Sequence, residues 1–158
     1  MDVVIREIAP RELNRLLDLY RQLNPNDLPP PDEQRVGETW EEILSDPKIH
    51  CLVADAGGRV VAACTLIIVP NLTRGTMPYA LIENVVTDGE YRRRGIGREL
   101  LRQALSIAWE NNCYKVMLLT GRKDAATLRF YENSGFQGGA KTGFVAYNEH
   151  YVQAPRAG

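Results

Sequence analysis

The run HCLVADAGGRVVAACTLIIV (His50–Val69) is apolar on both sides of Gly57-Gly58, which makes it a β-hairpin: two strands and a tight turn. A hairpin by itself is marginal in water, so these strands need further strands beside them or helices over them. The rest of the chain supplies both. Val3–Ile8 has the pattern of a short strand, and Pro10 opens an amphipathic helix with Leu13, Leu16, Leu17, Tyr20 and Leu23 at helical spacing. Prolines stop that pattern in Asn24–Glu33, since each removes a backbone donor and fixes φ. A second helix is expected over Arg35–Ser45, with Val36, Trp40, Ile43 and Leu44 inward. Beyond the hairpin come a strand at Tyr79–Asp88, a helix over Gly95–Asn111 and a short strand at Lys115–Gly121. A short helix at Ala125–Ser134 and strand material at Thr142–Tyr147 follow. The order β-α-α-β-β-β-α-β-α-β predicts a mixed α/β sheet in a single domain over residues 1–158.

Composition narrows the partners. Net charge is −1, so no global field draws the chain to nucleic acid or to an anionic membrane, and anion recognition has to be local. The N-terminus MDVVIREIAP lacks the basic and long apolar regions of a signal peptide. No apolar run approaches the roughly 20 residues of a membrane span, and the expectation is a cytoplasmic protein. Cys51, Cys64 and Cys113 are far apart in apolar runs, which predicts reduced core residues. With His50 and His150 beside them there is no metal-ligand spacing, so no metal is expected.

The local charge sits in EYRRRGIGRELL (Glu90–Leu101), where a strand gives way to a helix. A helix N-terminus carries unpaired N–H groups and about half a positive charge, which suits it to anions. Gly95 and Gly97 remove side chains that would keep a phosphate from the backbone, and Arg92, Arg93, Arg94 and Arg98 add charge-assisted donors. A solvated basic turn would show the same residues, so this segment alone does not decide. A dinucleotide fingerprint fails, because its third glycine position is Leu100. GFQGGAKT from Gly135 misses a phosphate loop at Ala140 and lies after a helix rather than before one.

Downstream, TLRFYENSGF (Thr127–Phe136) puts Phe130 and Tyr131 on a short helix ending at Gly135, an arrangement that core aromatics alone would also explain. Together the two segments say more. IENVVTDGEYRRRGIGRELL followed by FYENSGF resembles the GNAT superfamily of acyl-CoA-dependent N-acetyltransferases. Its signature Arg/Gln-x-x-Gly-x-Gly/Ala is matched by Arg92, Gly95 and Gly97, and Phe-Tyr-x-x-x-Gly-Phe follows. The resemblance is sharpest over Leu81–Phe136.

The resemblance implies a GNAT fold, a mixed central sheet with a splayed strand pair and flanking helices. It also implies acetyl-CoA as cosubstrate and no metal. Carried over residue by residue, the main chain of Val85, Val86 and Thr87 would pair with pantetheine, and a bulge there would free an N–H near Val85 for the thioester carbonyl. The diphosphate would rest on the loop of Arg92, Arg93, Arg94, Gly95, Ile96, Gly97 and Arg98. Tyr131 would protonate the departing thiolate. Glu83, on a partly buried strand, would take the proton of the acceptor amine directly or through water, with burial raising its pKa. Where many members have asparagine this chain has Asp124, which accepts but cannot donate, so it contacts the cofactor or caps the helix from Ala125. Thr127 stands where a small residue is usual, and its hydroxyl either reaches a phosphate or merely fits. The implied acceptor is a small-molecule or peptide amine, and the resemblance leaves room for a homodimer. A non-catalytic acyl-CoA sensor on the same fold, or a module binding another phosphate ligand, are the competing readings.

Overall fold

The structure, a computed structural model, describes residues 2–148 and residue 150. Five strands form one sheet in the order β1 (Val3–Glu7), β2 (Ile49–Ala56), β3 (Val60–Val69), β4 (Tyr79–Thr87) and β5 (Val116–Met117). All neighbours are antiparallel except β4 and β5, which are parallel. The expected hairpin is present, with Gly57 and Gly58 in its turn at φ 65° and 90°. The helices are α1 (Leu13–Leu23), α2 (Glu33–Ser45), α3 (Ile96–Glu110) and α4 (Ala125–Asn133). A 3-10 turn over Pro10–Glu12 precedes α1, so Pro10 starts the helical region without being part of α1 itself.

Two helical layers close the sheet. On one face α3 buries Leu100, Leu101, Ala104 and Ala108 against Leu52, Cys64, Leu66 and Ile82. On the other, Leu16 and Leu19 of α1 and Trp40 of α2 pack on Cys51, Val53, Ala63 and Val86. Trp40 also donates its indole N–H to the carbonyl of Pro10 at 3.0 Å, which ties α2 to the start of α1. Leu44, expected inward, is 37 % exposed; the apolar stripe of α2 runs through Trp40 and the half-buried Ile43 and leaves Leu44 at its margin. Cys51, Cys64 and Cys113 are buried free thiols, as expected.

The largest departures lie at the β5 edge. The expected strand Lys115–Gly121 is reduced to Val116–Met117, and Thr142–Tyr147 forms no strand at all. Phe144 is 91 % exposed, and Val145 and Tyr147 are also exposed, so neither face of that segment is buried and nothing fixes a register. The segment runs beside Leu119, and a Cβ on Gly143 would lie 2.7 Å from the Leu119 Cδ2.

Candidate active site

The site begins with an irregularity in β4. Its register with β3 runs from Val69↔Tyr79 to Thr65↔Glu83 and resumes at Ala63↔Val86. Two steps on β3 are thus matched by three on β4, and Asn84–Val85 form a bulge with Asn84 at φ 54°. The extra residue leaves main-chain groups out of the ladder. On its other side β4 pairs with β5 only at Ala80↔Val116 and Leu81↔Met117. Past that point the strands part around a cleft of about 1030 Å³, walled by Glu83–Thr87 on one side and Leu118–Arg122 on the other.

The arginine–glycine loop closes one end of this cleft. Arg93 and Gly95 take left-handed dihedrals, φ 61° and 80°, and Gly95 is the N-cap of α3 with no side chain bonded to the first-turn N–H groups. Alternating backbone handedness ahead of an uncapped helix turns successive N–H groups into one concavity, the geometry that receives phosphate oxygens. Arg92 donates its Nε–H to the carbonyl of Thr87 at 3.1 Å and so braces the loop against the end of β4. Gly97 serves packing more than access. A Cβ there would meet the Phe130 ring at 3.1 Å and the Thr87 hydroxyl at 3.2 Å. The glycine-loop and Phe-Tyr motifs therefore touch, and the missing side chain lets α3, α4 and β4 converge.

A buried joint holds loop and strand to α1. Asp88, 3 % exposed, accepts from the Arg15 guanidinium and from the N–H of Glu90, while Gln22 accepts from the N–H of Gly89 at 3.0 Å. Burial pushes the Asp88 carboxyl up, but Arg15 and the Glu90 N–H outweigh it and hold it below the usual carboxylate range. With a lowered folded pKa, this contribution is present above the ordinary carboxylate pKa and lost as pH falls through the lowered one. Arg15→Leu leaves the buried carboxylate with only the Glu90 N–H and the more distant Arg59 guanidinium at 3.8 Å, and is expected to cost about 2–3 kcal/mol. Urea denaturation near neutral pH checks this, and a cost under about 1 kcal/mol would mean that Asp88 is hydrated rather than held.

The other expected residues divide plainly. Glu83, Val85, Val86, Thr87, Arg92, Arg93, Gly95, Ile96, Gly97, Arg98, Thr127 and Tyr131 all line the cleft. Glu83 is exposed there rather than partly buried. Tyr131 is half-buried, its ring 5.0 Å from that of Phe130 and 6.4 Å from that of Phe136, both edge-on. Burial pushes its phenol above the ordinary value, with Arg122 pulling the other way. Arg94 and Asp124 do not line the cleft. Arg94 lies over the Tyr91 ring and donates to the carbonyl of Glu90 at 2.9 Å. Asp124 caps α4, accepting from the N–H of Thr127 at 3.0 Å, its hydroxyl at 2.9 Å and Arg122 at 3.0 Å. Asn24, at the start of the proline-rich loop expected on the acceptor side, lines the cleft, and sequence reasoning missed Gln22 and Arg122, which line it too. Gln22, on α1, carries no pattern, but Arg122 directly follows the predicted strand end at Gly121.

A bulged strand parting from its parallel neighbour above a helix-capped anion loop defines an acyl-CoA-binding class of fold, and comparison with known proteins agrees. The family model of the Acetyltransferase (GNAT) family matches residues 13–136, and the chain belongs to that family, whose members use acetyl-CoA. It is 31 % identical over 141 residues to glucosamine 6-phosphate N-acetyltransferase 1 of Oryza sativa subsp. japonica, covering 84 % of this chain and 79 % of that protein. It is 40 % identical over 80 residues to glucosamine 6-phosphate N-acetyltransferase of Trypanosoma brucei brucei. That match covers 51 % of this chain and about half, 52 %, of the trypanosome protein. The structure of a putative acetyltransferase from Agrobacterium tumefaciens str. C58 superposes with a TM-score of 0.86 at 48 % identity, over 92 % of this chain and 99 % of that one. Among the described residues no helix is long and apolar enough to cross a membrane.

Proposed function

We propose that the protein transfers an acetyl group from acetyl-CoA to the primary amine of a small acceptor, by direct attack with both substrates bound. The observation that carries this reading is the convergence of the β4 bulge, the arginine–glycine loop and Tyr131 on one cleft. Acetyl-CoA supplies the activated thioester. The N–H groups of Arg93–Arg98 receive its diphosphate, and the main chain of Val85–Thr87 pairs with pantetheine as a further strand would. The freed N–H near Val85 donates to the thioester carbonyl oxygen, where negative charge develops. Glu83 takes the ammonium proton of the acceptor, directly or through water, and Tyr131 hydrogen-bonds the leaving sulfur as negative charge builds there. The cysteines are buried and none lines the cleft, which favours direct transfer over an acyl-enzyme. Two relatives are named for glucosamine 6-phosphate, so an amino-sugar phosphate is the first acceptor to try. Initial rates of thiol release, with both substrates varied, should give intersecting double-reciprocal lines; parallel lines would indicate an acyl-enzyme and contradict direct attack.

Glu83 has its own test. An alkylamine of pKa about 10 is almost wholly protonated near neutral pH, so the attack needs a proton acceptor. Glu83→Gln keeps the shape and removes that acceptor. The rate near pH 7 should fall roughly 10²-fold and recover partly at high pH, where free amine comes from solution. Matching pH–rate profiles for variant and wild type would exclude Glu83 as the base.

A further inference from the structure

The sheet is covered unevenly. On the face toward α3, β3 and β4 are closed, with Leu66, Ile68, Ala80 and Ile82 buried. On the opposite face α1 and α2 close the sheet over Cys51, Val53, Ala63 and Val86. Past Thr65 that face is half-open, and the cross-strand pairs Ile67↔Leu81 and Val69↔Tyr79 form an apolar shelf. Glu83, opposite Thr65, ends the shelf at the cleft. Tyr79 lies four residues back on the same face, about 13 Å along the strand.

Two cations stand at that far end. The Lys115 ammonium lies 5.6 Å from the centre of the Tyr79 ring and 5.2 Å from that of Tyr114, and the Arg74 guanidinium lies 5.9 Å from the centre of the Tyr114 ring. Separate segments meet here. The parallel β4–β5 pair sets Lys115 beside Tyr79, and a tight turn over Thr73–Thr76, with Arg74 at φ 57°, swings Arg74 over Tyr114. Among the described residues neither cation has a carboxylate partner, whereas Arg6, Arg15, Arg21, Arg102 and Arg122 each have one. The two tyrosine rings and the Tyr114 hydroxyl, which both cations reach, hold the two like charges together, and an anion between them would relieve their repulsion. The hydroxyl of Tyr114 is pulled below its ordinary pKa, first by Lys115, with Arg74 adding to it. On a chain of net charge −1 this is a distinct positive spot.

We propose that the Arg74–Lys115 cluster is an anion subsite for the acceptor, which presents its amine at Glu83 and a phosphate or carboxylate to these cations across the shelf. The inference rests on the amine-acetylation reading above and adds to it the class of acceptor, a small primary amine bearing an anionic group. About 13 Å of strand separates the two ends, and with a hydrogen bond of about 3 Å at each the remaining span of about 7 Å suits an amino-sugar phosphate or a short peptide with an acidic second residue.

The test compares matched acceptors. Acetyl transfer is measured for glucosamine 6-phosphate against glucosamine, and for a tripeptide with aspartate at its second position against the asparagine version. Each pair is run with wild type, Lys115→Arg, Lys115→Gln and Arg74→Ala/Lys115→Ala. In wild type the anionic member of one pair should be preferred by roughly tenfold or more in kcat/KM, with the difference in KM. The preference should survive Lys115→Arg, shrink in Lys115→Gln and collapse in the double variant, and the pair that shows it separates a phosphate source from a carboxylate one. Equal use of both members in wild type, or a preference that survives the double variant, overturns the subsite and leaves amine acetylation standing. Failure to acetylate any amine while acetyl-CoA still binds overturns the reaction and the subsite together. Calorimetric titration of glucosamine 6-phosphate into the CoA-bound protein reads the same contact without turnover, and should weaken roughly tenfold in the double variant. Thermal melts with acetyl-CoA verify that each variant is folded.

Discussion

Tyr131→Phe is expected to lower kcat by roughly 10²-fold while leaving the affinity for acetyl-CoA nearly unchanged. The substitution removes one oxygen and keeps the ring, whose edge-on contacts with Phe130 and Phe136 hold α4 and the following turn in place. Packing and chemistry are therefore separated by a single atom. Burial raises the Tyr131 phenol, which keeps it protonated through neutral pH but makes full transfer to a thiolate whose acid form is near 8.5 uphill. Its proposed role is therefore a hydrogen bond to the sulfur that strengthens as negative charge builds there. The measurement is single-turnover acetyl transfer alongside calorimetric titration of acetyl-CoA. An unchanged rate would reduce Tyr131 to a core aromatic. Rescue of the variant by an acyl donor with a more acidic thiol would tie the loss to the leaving group.

The second large effect is expected at Gly97. Glutamate there brings negative charge to the phosphate loop, and acetyl-CoA should bind well over tenfold more weakly, a loss above about 1.4 kcal/mol. The structure adds a cost in stability, because any Cβ at this position would press on the Phe130 ring and the Thr87 hydroxyl. Gly97→Ala isolates that cost, since it introduces the crowding without the charge. Its crowding cost of about 1–3 kcal/mol is partly offset by the ~1 kcal/mol that alanine gains in a helix. Urea denaturation should therefore show a net loss of at most about 2 kcal/mol, and acetyl-CoA should be weakened less than by Gly97→Glu. Equal affinities of the two variants would mean that only packing is at stake and that the diphosphate lies elsewhere.

Much of this site could be read in the chain because its parts are local. The strand, the glycine loop and the helix after it follow one another over Tyr79–Glu110, and turn chemistry and helical spacing mark each boundary. Long-range relations were less legible. The bulge at Asn84–Val85 has no glycine to announce it, and only the resemblance pointed to it. The orientation of Arg94 depends on the Tyr91 ring beside it, and three adjacent arginines look alike in sequence. Thr142–Tyr147 has strand-forming residues but no buried face, so residue type without burial gave a strand where none forms. The contact of Gly97 with Phe130, like the meeting of Arg74, Tyr79, Tyr114 and Lys115, exists only once parallel strands and packed helices bring distant segments together.

In the proposed function coenzyme A lies in the β4–β5 cleft with its diphosphate on the loop before α3. Backbone amide resonances of the 15N-labelled protein, followed through a titration with acetyl-CoA, test it residue by residue. Large shifts are expected for the amides of Val85–Thr87 and Arg93–Arg98, with adenosine 3′,5′-bisphosphate moving the loop set and leaving the bulge set in place. Shifts absent from both segments, or gathered on another face of the sheet, would contradict it.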